Sequence, residues 1–166
     1  ALEEIASVHA MRAFEAFVEH KDKPASLKHA ALLKDMAEFL TGYELARAGY
    51  ILLSCGQLED AVAVLEAAKR GSGNGPLNRY NLGLAYVASG LYQQGRLELE
   101  AAFEESLTEP CDEIAVLLFP RIDAGNFVLE ERWTTDWNKE SPYKEIRLCE
   151  AAKLAIEALS RIQEPA

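Results

Sequence analysis

Basic residues are scarce in this chain, with 17 lysines and arginines against 27 acidic residues and a net charge of -10. Such a balance repels nucleic acid and anionic membrane surfaces unless a local basic patch intervenes. The densest basic stretch, Lys21, Lys23, Lys28 and Lys34, is interrupted by acids and has no aromatic platform, so no nucleic-acid partner is expected. Long apolar runs are also missing. The longest uncharged segment, Tyr80 to Gly95, is shorter than a membrane span and carries Asn81, Ser89, Gln93 and Gln94, which argues against membrane insertion. The N-terminal stretch has acids where a secretory signal needs positive charge. Cys55, Cys111 and Cys149 are odd in number and far apart, with no CxxC pair. This points away from a disulfide framework or zinc site, towards buried thiols in a reducing cytoplasm. Catalytic signatures are equally sparse. None of His9, His20 and His29 lies three or four residues from another, and no HExxH, GxSxG or P-loop pattern occurs. Glu130 and Glu131 are adjacent and would point to different sides of a helix. An enzyme is not expected, nor is a metal or cofactor.

What the chain does have is hydrophobic content and a period. At 166 residues and 49% hydrophobic it suits one domain with a continuous core. Gly49 recurs as Gly83, Gly56 as Gly90, Leu65 as Leu99 and Ala68 as Ala102, each after 34 residues. A fixed period of this length, built from two helices, marks stacked helical hairpins.

Punctuation divides the chain accordingly. Residues 1–40 read as two helices, Leu2 to about Glu19 and Pro24 to about Leu40, forming either a diverged repeat or an N-terminal cap. Thr41 and Glu44 make a capping box that opens the first repeat, 42–75, in which Gly56 separates two helices and GSGNG ends the second. That glycine-rich stretch follows a helix, so it reads as an inter-repeat turn and not a phosphate loop. Pro76 opens the second repeat, 76–109. Gly125 and Phe127 echo Gly90 and Tyr92 with one extra residue, implying a third, degraded helical hairpin over 110–140, shortened or kinked by Pro120. Ser141-Pro142 starts a capping helix, 141–162, whose apolar stripe is Leu148, Cys149, Ala152, Ala155, Ile156, Leu159 and Ile162. The expected fold is all-α, with about nine helices.

The two blocks resemble the tetratricopeptide repeat family over about 68 residues, Gly42 to Glu109. Its first-helix glycine corresponds to Gly49 and Gly83, the bulky residue after it to Leu52 and Tyr86, and its turn glycine to Gly56 and Gly90. Second-helix positions fall on Ala61, Leu65 and Ala68, and on Leu99 and Ala102. Leu45 and Arg79 replace the family's early aromatic, and Gly95 its small second-helix residue. The resemblance implies a right-handed superhelical α-solenoid with capping helices at both ends. It also implies a groove for a peptide or partner helix, lined by Tyr43, Ala46, Tyr50 and Leu53 from the first block and by Leu77, Tyr80, Leu84 and Val87 from the second. Asn81 matches one asparagine of the subgroup that grips terminal carboxylates, but Ala46 and Tyr50 stand where its lysine and asparagine belong. Apolar anchoring is therefore expected. The alternative for the tyrosines is that the N-terminal helices cover them.

The leading function on this reading is a cytoplasmic, non-enzymatic adaptor or scaffold for a protein or peptide partner, with homo-oligomers left open. The alternatives are a dedicated chaperone for a secreted or membrane-active client and, since the chain begins at Ala1, a structural segment of a larger repeat protein. Seven acids between Leu97 and Pro120, namely Glu98, Glu100, Glu104, Glu105, Glu109, Asp112 and Glu113, read as a solvated outer face or a dock for a basic partner. Phe127, Trp133, Trp137 and Tyr143 form an aromatic cluster from which one exposed tryptophan is a candidate hot spot.

Overall fold

Two glycines separated by twelve residues face each other where the second repeat folds back. A Cβ added at Gly83 would lie 3.1 Å from the carbonyl oxygen of Gly95, and one at Gly95 would lie 3.0 Å from that of Gly83. Helices meeting at such a point touch backbone to backbone. The computed structural model describes residues 2–71, 75–108, 116–133 and 148–162. Seven α-helices and a two-stranded sheet lie within those residues, in the order α1 (Leu2–Val18), α2 (Lys23–Leu33), α3 (Gly42–Ser54), α4 (Leu58–Arg70), α5 (Pro76–Ala88), α6 (Tyr92–Thr108), β1 (Val116–Asp123), β2 (Asn126–Trp133) and α7 (Leu148–Ser160). None of the described helices is long and apolar enough to cross a membrane.

Local chemistry accounts for the helix ends. Thr41 Oγ1 accepts the Glu44 backbone N–H, and the Glu44 carboxylate accepts the Thr41 N–H, so the expected capping box forms and opens α3. Helices α3 and α5 close with the same device. Gly56 and Gly90 adopt φ of 79° and 84°, and the next residue donates back across the turn, Gln57 N to Leu52 O at 2.9 Å and Leu91 N to Tyr86 O at 2.8 Å. This is a Schellman closure, and it needs a residue without a Cβ at the left-handed position. Helix α2 is shorter than expected. It stops at Leu33, with Met36 N donating to Leu33 O, and a 3-10 turn at Ala37–Phe39 leads into the extended Thr41 cap.

Helices α1–α2, α3–α4 and α5–α6 are antiparallel pairs stacked in sequence order. Helix α5 rests mainly on α4 and secondarily on α3, and α7 stands in the same relation to α6 and α5. Helix α7 thus packs on α6 and α5 as α5 packs on α4 and α3. Its buried residues are Leu148, Ala151, Ala152, Ala155, Ala158 and Leu159, while Cys149, Ile156 and Ile162 of the expected stripe are half-buried. Leu65, Ala68, Leu99 and Ala102, the repeating positions, are all fully buried.

The helical hairpin expected over 110–140 is a correction. Residues 116–133 form an antiparallel β-hairpin, paired from Val116↔Trp133 to Asp123↔Asn126. Gly125 has a φ of 82°, close to that of Gly90, but it closes no helix here. Ala124 at φ 51° and Gly125 make a two-residue turn with both central residues left-handed, which matches the twist of a β-hairpin. The strands alternate: Leu118, Pro120 and Ile122 share a face with Phe127, Leu129 and Glu131, as the pleat requires. The expected features at GSGNG (positions 72–74), Glu109, Pro110, Cys111, Asp112, Glu113, Trp137, Ser141-Pro142 and Tyr143 lie outside the described residues.

Two outcomes check this geometry. Gly83→Ala places a methyl 2.8 Å from Leu99 Cγ, so it should destabilise by about 1–3 kcal/mol in chemical denaturation. Ala124→Asn replaces a residue strained at positive φ by one that tolerates it, and should stabilise by about 0.5–1 kcal/mol.

Candidate binding cleft

The face of α3 and α5 expected to line an open groove is largely covered. Of its nine residues, Leu53, Tyr80, Asn81, Leu84 and Val87 are buried, and Tyr80 and Leu84 have no exposure at all. Ala46, Tyr50 and Leu77 are half-buried. Only Tyr43 is exposed, and the Arg47 guanidinium stacks 4.1 Å from its ring centroid and 3.9 Å from that of Phe14. Val87 is turned towards α6, where its Cγ2 occupies the space a Cβ on Gly95 would need.

The cover is the β-hairpin together with α1. Tyr80 donates its hydroxyl to the Leu118 carbonyl, a buried bond that ties α5 to β1. Lys23 at the start of α2 pairs with Glu131 of β2 at 2.8 Å. Phe17 of α1 meets the Tyr50 ring edge-on, with centroids 5.5 Å apart. The coverage by N-terminal helices considered for the tyrosines thus applies to Tyr50, and the hairpin accounts for Tyr80. Among the described residues the Tyr50 hydroxyl has no hydrogen-bond partner, and burial pushes its pKa up strongly, reinforced by Glu131, so it stays protonated.

Between the hairpin and the ends of the helices a cleft of about 380 Å³ remains open. Its walls are Leu53, Leu58 and Ala88 on the helical side and Leu118, Phe127 and Leu129 on the sheet side, with the Lys23–Glu131 pair at one end. Phe127 is the one member of the expected aromatic cluster whose side chain is described; it lines this cleft.

Ser54 Oγ donates to the Tyr50 and Ile51 carbonyls at 3.1 and 3.2 Å and is engaged with the backbone. Burial raises the Cys55 thiol pKa, with Lys23 opposing and Glu131 adding, which keeps it from being a ready thiolate. Among the described cleft residues, what remains is a slot with apolar side chains on both walls, the Lys23–Glu131 pair at one end, and a lining that exposes more polar than apolar surface.

The acidic stretch also differs from a wholly solvated face. Glu98 is buried and receives Lys69 of α4 and Arg79 of α5, the latter at 3.2 Å, while Arg79 Nε reaches Glu105 at 2.7 Å. Glu100 and Glu104 are exposed. No known family model, curated protein or solved structure matches this chain.

Tyr80→Phe tests how the cover is held. It removes the hydroxyl that donates to the buried Leu118 carbonyl, and should destabilise by about 1–3 kcal/mol. Hydrogen exchange should quicken first at the strand amides, with α3–α6 protected.

Proposed function

We propose that this chain is a non-enzymatic protein-interaction module, an adaptor or scaffold, that takes an apolar anchor of a partner peptide or helix into the cleft beside the β-hairpin. The observation that carries the reading is the cleft itself. Leu53, Leu58, Phe127 and Leu129 offer apolar contact on the two walls of an opening whose lining also holds Ser54 and the Lys23–Glu131 pair. Sequential hairpin stacking supports a superhelical solenoid of tetratricopeptide-like repeats, in which the first-helix face is the receiving surface. Tyr80 of the expected groove strip then acts as floor under the hairpin, and the binding surface moves outward to the cleft. Cys55 and Cys149 are free thiols, in keeping with a reducing compartment such as the cytoplasm.

A peptide-display library selected against the whole chain tests this. Selected peptides should carry a large apolar residue, and Phe127→Ala should weaken them by about 1–3 kcal/mol, the scale of a central anchor, while circular dichroism stays helical. Glu104→Lys on the exposed α6 surface, or 0.5 M salt, should change affinity little. Binding that is lost in salt or on Glu104→Lys, and is indifferent to Phe127, would move the site to the acidic surface and overturn the proposal.

A further inference from the structure

Away from the cleft, two of the three histidines meet across the first hairpin. His9 of α1 and His29 of α2 have ring centroids 5.2 Å apart at a 35° tilt, with Nδ1 to Nδ1 at 2.9 Å. Two imidazole nitrogens at that distance require one N–H donor and one bare acceptor. The neutral pair therefore shares a single proton at the contact, and a second proton there would break the bond. Arg12 lies one turn along α1 from His9, Lys28 is next to His29 on α2, and both are exposed. Among the described residues neither has an ion-pair partner.

We propose that His9, Arg12, Lys28 and His29 form an oxyanion site that receives a phosphate group, free or carried on a partner's side chain. Beside the half-buried imidazole pair, the exposed Arg12 and Lys28 are near enough to act on His29 electrostatically, a local concentration of positive charge in a chain whose net charge is -10. A cation would meet only repulsion from Arg12 and Lys28, which weighs against reading the histidine pair as a metal site. An oxyanion gains charge-assisted bonds from Arg12 and Lys28, and it also turns the second proton on the pair from a liability into an added donor.

Proton linkage follows from the same arrangement. Desolvation, then His9, Arg12 and Lys28, all lower the His29 pKa from its ordinary value. Without an anion, the group binds fewer protons folded than unfolded, so its contribution to stability is present above pH about 6.5 and fades as pH falls through the lowered folded value. A bound anion opposes the cationic neighbours and raises that pKa, so phosphate uptake draws in a proton.

Nuclear magnetic resonance titration of the histidines tests the proposal, with inorganic phosphate in one arm and a phosphoserine-containing peptide in the other. His20 is an internal control, since it sits 3.8 Å from the Glu15 carboxylate and outside this pair. Phosphate should raise the apparent His29 pKa by about half a unit or more and leave His20 unmoved. The Arg12→Gln/Lys28→Gln double variant, altered at two exposed positions, should abolish the shift while keeping the fold. A larger shift with the peptide assigns the site to a protein-borne phosphate, and equal shifts assign it to the free anion. No His29 shift in either arm, equal movement of His20, or a shift retained in the double variant overturns the site.

Discussion

The close crossing of α5 and α6 at Gly83 and Gly95 sets the geometry on which the rest depends. A side chain at either position would meet the opposite helix's backbone oxygen within 3.1 Å, so the helices can approach this closely only because both residues are glycine. That approach is what lets Leu99 lie fully buried against Gly83, as Leu65 lies against Gly49. In the first repeat Ala61 occupies the position of Gly95. The stack is tied sideways by Glu98, a buried carboxylate on α6 that draws Lys69 from α4 and Arg79 from α5. Removing Lys69 or Arg79 would leave a buried charge undercompensated.

The helical part of this arrangement was legible because its signals are local. A capping box needs residues three apart, and a Schellman closure needs one glycine at a fixed offset, so Thr41, Glu44, Gly56 and Gly90 declare themselves. The β-hairpin was missed for a related reason. Gly125 has nearly the φ of Gly90, and a glycine at positive φ ends a helix or turns a hairpin equally well. What separates the two is the period of the flanking residues. Phe127-Val128-Leu129 are all apolar and Glu130-Glu131-Arg132 all charged, so no clean alternation marks the strand, and the spacing from Gly90 suggested a helix in its place. Pro120, read as a helix kink, is accommodated in a two-stranded sheet, where a strand has one edge free of ladder bonds.

The candidate site was legible as a face and not as a surface. Tyr50 and Tyr80 come under cover of other elements while Val87 turns towards α6, because a strip apolar enough to hold a peptide is also apolar enough to be core. Which of these it becomes is decided by chain far away in sequence: Leu118, 38 residues beyond Tyr80, supplies the covering carbonyl. The His9–His29 contact is of the same kind. Its spacing of 20 residues matches no helical or metal-ligand pattern, and it arises only because α1 and α2 fold back on each other.

An internal hairpin seated on an apolar face changes what selectivity the remaining cleft can have. If the α3–α5 face were bare, any amphipathic segment could lie along it, since apolar contact carries little directional information. With Phe127 and Leu129 forming one wall and the Lys23–Glu131 pair at one end, a guest must fit between a sheet and two helix termini, and must not leave either charge unpaired. Leaving a partly buried carboxylate without its ammonium is penalised more heavily than a mismatched methylene, so for the proposed guest discrimination would fall mainly on the ion pair and affinity mainly on the aromatic wall.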